Sequence, residues 1–202
     1  KEIHVSDLGH YGKARLYSKD YHVDALGYVI DMQSLGRALV NQLKGHKQVT
    51  WYCPDSVENL IYQDSSVDIS LQSGNEIRAS LLLGCDGGLS SVRQLSHITS
   101  QEKDYEQVGV ICNVTTEMPH NGKAFERFTD EGPLAMLPMS RNRCSLVWTM
   151  VPENAKEFVD MSDEQFCHLL NERFGYWLGK VTKAGNRFSY PLVLKQAQEQ
   201  IR

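Results

Sequence analysis

Between residues 81 and 93 the chain reads Leu81-Leu82-Leu83-Gly84-Cys85-Asp86-Gly87-Gly88-Leu89-Ser90-Ser91-Val92-Arg93, and no other stretch restricts the fold as strongly. Three consecutive leucines leave no polar side for solvent. They close a strand predicted over Ile77 to Leu83 and predict that its end is buried on both faces, as in a parallel sheet covered by helices. The glycines that follow predict a turn whose bare backbone a ligand can approach and whose N–H groups point outward. In open α/β folds ligands sit at the ends of such strands.

Two readings of the turn stand side by side. In the first, Asp86 accepts from a ribityl or ribose hydroxyl, and Arg93 anchors the loop or pairs with a phosphate. In the second, this is a plain strand-to-helix turn with Asp86 and Ser90 as local caps. The residues alone weigh these equally.

The rest of the chain supplies the frame. Residues 3 to 7 and Lys13 to Tyr17 predict a hairpin across the turn at Leu8-Gly9-His10-Tyr11-Gly12. Tyr28-Val29-Ile30 reads as a short β-rich stretch. Met32, Leu35, Leu39 and Leu43 form one helical stripe, with Asp31 or Ser34 as cap and Gly45 as stop. Val49 to Tyr52, Val57 to Tyr62 and Val67 to Leu71 predict strands, and Ser73-Gly74-Asn75 a turn. Thr99 to Gln107 reads as a polar linker. Alternation at Val108, Val110, Cys112 and Val114 then opens a strongly β region, with further strands over Phe125 to Thr129, Leu134 to Leu137, Cys144 to Met150 and Phe188 to Leu194. Ser162 and Gln165 match a capping box, ahead of a helix that Gly175 ends.

Composition removes several function classes. The 202 residues carry 21 Lys plus Arg against 25 Asp plus Glu, a formal net charge of −4, without the basic footprint of a nucleic-acid binder. The longest apolar run, Leu134 to Met139, is 6 residues, far below the roughly 20 of a membrane span. The 5 cysteines form no C-x-x-C pair and read as small buried hydrophobes of a reducing, cytoplasmic compartment rather than a zinc site. Walker A, G-x-S-x-G, H-E-x-x-H and G-x-G-x-x-G strings are absent. No catalytic side chain and no metal ligand stands out.

The segment 81–93 resembles the D-G-x-x-S-x-V-R motif of FAD-dependent aromatic-ring hydroxylases, with every fixed position matched. Ala25 to Ile30, Val49 to Tyr52 and Ser73-Gly74 are similar to the family's segments in the same order. Phe125-Glu126-Arg127-Phe128-Thr129, Gly132 to Pro138 and Ser145-Leu146-Val147-Trp148 resemble the branch that hydroxylates polyprenyl phenols in ubiquinone biosynthesis. The family's G-x-G-x-x-G is not found, nor its later G-D motif, which the resemblance places just past Arg202. Met32 stands where many relatives carry a basic residue. These departures, with Lys1 as first residue, set the expectation of an internal fragment of a longer protein, inactive alone.

The resemblance implies a mixed α+β and α/β fold, a fragment of the flavin monooxygenase fold. Residues 1–98 would be a partial FAD-binding region with hairpins and the DG motif, and 99–202 a mainly antiparallel substrate-domain sheet with helices. It implies that Asp86, Gly87, Ser90 and Arg93 lie at the FAD, and that Gly132, Pro133 and Leu134 lie at the substrate pocket near the isoalloxazine ring. It implies an FAD-dependent monooxygenase in which NADPH supplies electrons, O₂ supplies the oxygen and a polyprenyl phenol receives it. The cofactor would carry the hard chemistry, which fits the lack of an acid–base pair. A bilayer-resident substrate adds the expectation of peripheral contact with the inner membrane or with a ubiquinone-biosynthesis complex. Two alternatives remain open at this point: a non-catalytic α+β binding module, and a reductase or halogenase of the same fold.

Overall fold

The structure, a computed structural model, describes residues 1–202. The chain forms two compact units, one of residues 1–36 and 104–192, the other of residues 37–103 and 193–202.

The first unit is built on the large sheet. Its strands are β1 (Glu2–Asp7), β2 (Lys13–Tyr17), β6 (Ser100–Thr116), β7 (Lys123–Phe128), β8 (Pro133–Pro138), β9 (Arg143–Met150), β10 (Val181–Ala184) and β11 (Phe188–Ala197). They are numbered with β3 (Val57–Tyr62), β4 (Val67–Leu71) and β5 (Glu76–Ala79) of the second unit. The large sheet runs β10-β6-β9-β8-β7-β1-β2, and β11 also pairs with β6. Along the path from β10 to β2 neighbours are antiparallel except β1 and β7, which run parallel. The expected N-terminal hairpin is present, and it joins this sheet through β7 rather than standing beside the strands nearest to it in sequence.

Alternation dictates what the sheet buries. Val110, Cys112, Val114, Leu134, Met136, Leu146, Trp148 and Met150 point to one side and enter one core. Helices α3 (Pro152–Asp160) and α4 (Asp163–Phe174) cover that side. Phe158 meets Trp148 edge-on at 4.9 Å between ring centres, and Phe174 meets Phe125 at 5.4 Å. The capping box closes as its spacing predicts: Gln165 N donates to Ser162 Oγ, Ser162 N donates to Gln165 Oε1, and Gly175 ends the helix. Arg187 ties the α3–α4 junction, donating to the Val159 and Met161 carbonyls and to Asp163 while lying over the Phe166 ring.

In the second unit β3, β4 and β5 form an antiparallel sheet whose core is Val67, Ile69 and Leu71. Helix α2 (Ser91–Leu95) follows the glycine turn. Helix α1 (Met32–Leu43) spans the predicted stripe, and Asp31 caps it through Gln33 N at 3.1 Å and Ser34 Oγ at 2.9 Å. None of its residues is buried.

Five expectations are corrected. The strand predicted to Leu83 ends at Ala79; Leu82 packs on the β4 core, while Leu81 and Leu83 are 70% and 71% exposed. An extended segment with no ladder partner buries only the side chain that meets a neighbouring core, so the two-faced burial read from three leucines is not made here. Val49 to Tyr52 and Tyr28 to Ile30 are irregular, since no neighbouring strand completes their backbone bonds. Residues 100–107 belong to β6 rather than to a linker, because pairing with β11 outweighs their polar character. Cys53 and Cys85 are exposed.

Candidate functional site

The glycine turn is held by a dense set of local bonds. Ser90 Oγ donates to Asp86 Oδ1, and Ser91 Oγ and Val92 N each reach Asp86 Oδ2 at 3.2 Å. Ser90 Oγ in turn accepts the Arg93 amide at 2.9 Å and so caps α2. The Arg93 guanidinium folds back and donates to the Gly88 carbonyl at 2.7 Å. The hydrogen bond from Ser90, with smaller help from Val92 N and Ser91, pulls the Asp86 carboxyl down to about 2. Asp86 is therefore an ionised bracket for the turn at neutral pH, and Arg93 is its brace.

Gly87 is the open point of this loop. Its φ is +86°, and no heavy atom stands within 4 Å of where a Cβ would be. A side chain would cost backbone strain and would fill that space. Gly84 is different: a Cβ there would press on Val92 Cγ1 at 3.2 Å, so this glycine allows the turn to pack on α2.

A cleft of about 620 Å³ lies in the same unit, within the size range of small-molecule sites. Gly87, Ser90 and Arg93 line it together with Leu83, Tyr62 and Ser66. The structure thus brings Asp86, Gly87, Ser90 and Arg93 into one loop, three of them on the cleft. Tyr62 was not legible in advance. Its hydroxyl donates to Ser96 Oγ at 2.7 Å, and Ser96 donates to the Val92 carbonyl, so β3 pins α2. The partners are 34 residues apart and no motif links them.

Gly132, Pro133 and Leu134 sit in the other unit, at the turn from β7 to β8. Thr129 and Gly132 exchange both backbone bonds at 3.1 Å. Gly132 has φ +143°, and a Cβ there would collide with the Thr149 carbonyl. Leu134 is fully buried in the core beside Trp148, so Gly132 and Pro133 are the parts of this segment that stay half-exposed.

Residues 27–183 match the family described as the FAD binding domain. The chain belongs to this family. Among similar proteins, the ubiquinone hydroxylase UbiL of Rhodospirillum rubrum is 34% identical over 87% of the chain and 41% of its own length. The 3-demethoxyubiquinol 3-hydroxylase of Escherichia coli is 31% identical over 87% of the chain and 45% of its own length. The chain thus spans less than half the length of these relatives. In fold it is similar to the p-nitrophenol 4-monooxygenase PnpA of Pseudomonas putida, with a TM-score of 0.75 and 17% identity over 100% of the chain and 53% of that protein.

The loop fits a flavin nucleotide in one respect and departs in another. The backbone at Gly87 is bare and open, with no heavy atom within 4 Å of a Cβ position, which leaves room for a nucleotide to approach. The Asp86 oxygens already accept three local bonds, so Asp86 shapes the loop first and meets a sugar hydroxyl only with what acceptor capacity remains.

Proposed function

We propose that this chain is part of an FAD-dependent monooxygenase that hydroxylates the ring of a polyprenylated phenol in ubiquinone biosynthesis. The observation that carries the reading is its likeness, over 87% of the chain, to two proteins named as hydroxylases of ubiquinone or its precursor. The D-G-x-x-S-x-V-R loop, folded as a braced glycine turn on a cleft, agrees with it.

When bound, FAD supplies the activation of O₂, and NADPH supplies the electrons. The chain's own residues bind and orient. Gly87 leaves the backbone bare for the nucleotide, Asp86 and Ser90 hold the turn closed, and Arg93 fixes the Gly88 carbonyl. Gly132 and Pro133 present a rigid edge at the ring side, and Leu134 anchors that edge in the core. Residues 1–98 serve mainly the cofactor and 99–202 mainly the substrate. No helix is long and apolar enough to cross a membrane. A polyprenyl substrate is reached by peripheral contact with the bilayer or through other proteins of the same biosynthesis.

The test is made on the natural protein that carries this chain. It is expected to purify with FAD absorbance and to oxidise NADPH faster when a prenylated phenol is added, with hydroxylated product. Failure to hold FAD, or NADPH oxidation indifferent to every prenylphenol, overturns the reading.

A further inference from the structure

The large sheet has a second face, opposite α3 and α4. Register places Val5, Glu126, Ala135, Val147 and Ile111 in one row across β1, β7, β8, β9 and β6. All five are half-buried. Four are apolar and one is a carboxylic acid. The flanking positions on β7 and β8 are Ala124, Phe128, Pro133 and Leu137, so the acid stands on a floor of small and apolar side chains. The charged side chain of a neighbouring row is Asp7, at the exposed end of β1 and paired with His10 at 3.0 Å.

Glu126 differs from the other half-buried acids of this unit. Glu2 meets Lys123 at 3.1 Å and Glu131 meets Arg173 at 2.7 Å. Glu126 has no such partner, and burial alone pushes its carboxyl up. An unpaired acid on an apolar surface is destabilising, and such groups gather where a ligand completes them.

We propose that Glu126 is the hydrogen-bond acceptor that orients the phenolic hydroxyl of the substrate on this face, an inference that rests on the function proposed above. A flat ring lies on Val5, Ala135 and Val147, and its hydroxyl donates to the carboxyl. The same acid repels ligands bearing a carboxylate or phosphate. It gives no bond to a quinone or an aryl ether, which lack a donor. Glu126 thereby selects ring substrates that carry a free hydroxyl.

The experiment measures binding of 2-prenylphenol and of its methyl ether to the FAD-loaded natural protein by calorimetry. The unsubstituted protein is expected to prefer the phenol by about tenfold, the size of one hydrogen bond to an acid. Glu126→Leu is expected to bind both equally, and Glu126→Gln, which retains an acceptor, to keep part of the preference. An undiminished preference in Glu126→Leu overturns the inference and leaves the proposed function standing. No preference in the unsubstituted protein also overturns it, and failure to bind either compound overturns both. If the leucine variant does not fold, the glutamine variant decides: an unchanged ratio overturns the inference, and a ratio reduced by about threefold or more supports it.

Discussion

Ser90 and Asp86 close a hydrogen-bond circuit at the glycine turn: one hydroxyl donates to the carboxylate and accepts the Arg93 amide at 2.9 Å. Ser90→Ala removes both bonds. The loss of the helix cap costs about 1 kcal/mol. The variant is expected to shift the urea midpoint down and to move the Asp86 carboxyl back toward the ordinary range, read by NMR titration. Because the folded carboxyl is held at about 2, its contribution is complete above the unfolded value, roughly pH 4, and is lost as pH falls through about 2.

His4 works in the same direction at higher pH. It is buried between Phe125 and Trp177, and burial first, then Arg15 and Lys123, lower its pKa below 6.5. The folded state favours neutral imidazole, so this contribution is present above the unfolded value and lost as pH falls below it. Stability measured at about pH 7.5 and about pH 5 is expected to drop, and His4→Phe to flatten the difference. An equal drop in the variant would assign the effect to other groups.

Two candidate glycines, one in each unit, are expected to differ under the same substitution. Gly87→Ala meets no atom and carries only the left-handed backbone penalty, roughly 1–2 kcal/mol. Gly132→Ala adds a collision with the Thr149 carbonyl and is expected to cost more than about 2 kcal/mol. Thermal melts of the two variants check the order. FAD affinity adds a second readout, since the alanine methyl at position 87 stands where the nucleotide would approach the bare backbone.

Thiol labelling of the folded protein is expected to mark Cys53 and Cys85 quickly, since both are exposed. Burial pushes Cys112 up to about 12 and Cys144 up to about 11, so these react only on unfolding. Mass spectrometry of peptides after a short pulse distinguishes the two sets.

Local signals carried far into the structure. The capping box at Ser162, the Gly175 stop, the alternation from Val108 to Val114 and the braced turn at Asp86 are each governed by neighbours a few residues away, and each forms as read. The motif at 86–93 was equally legible, because its spacing is the spacing of one turn leading into one helix. The sequence by itself determined the family, the loop and the antiparallel character of the second half.

What lies far apart in the chain was settled only by tertiary structure. The parallel pairing of β1 with β7 joins residues more than a hundred positions apart, and it alone puts Val5 beside Glu126. The fate of Leu81 to Leu83, the extension of β6 through residues 100–107 and the hold of Tyr62 on Ser96 likewise depend on which segments meet. Side-chain type states what a residue can do once it has a neighbour; burial, pairing and an unpartnered acid are properties of the neighbourhood, which only the folded chain supplies.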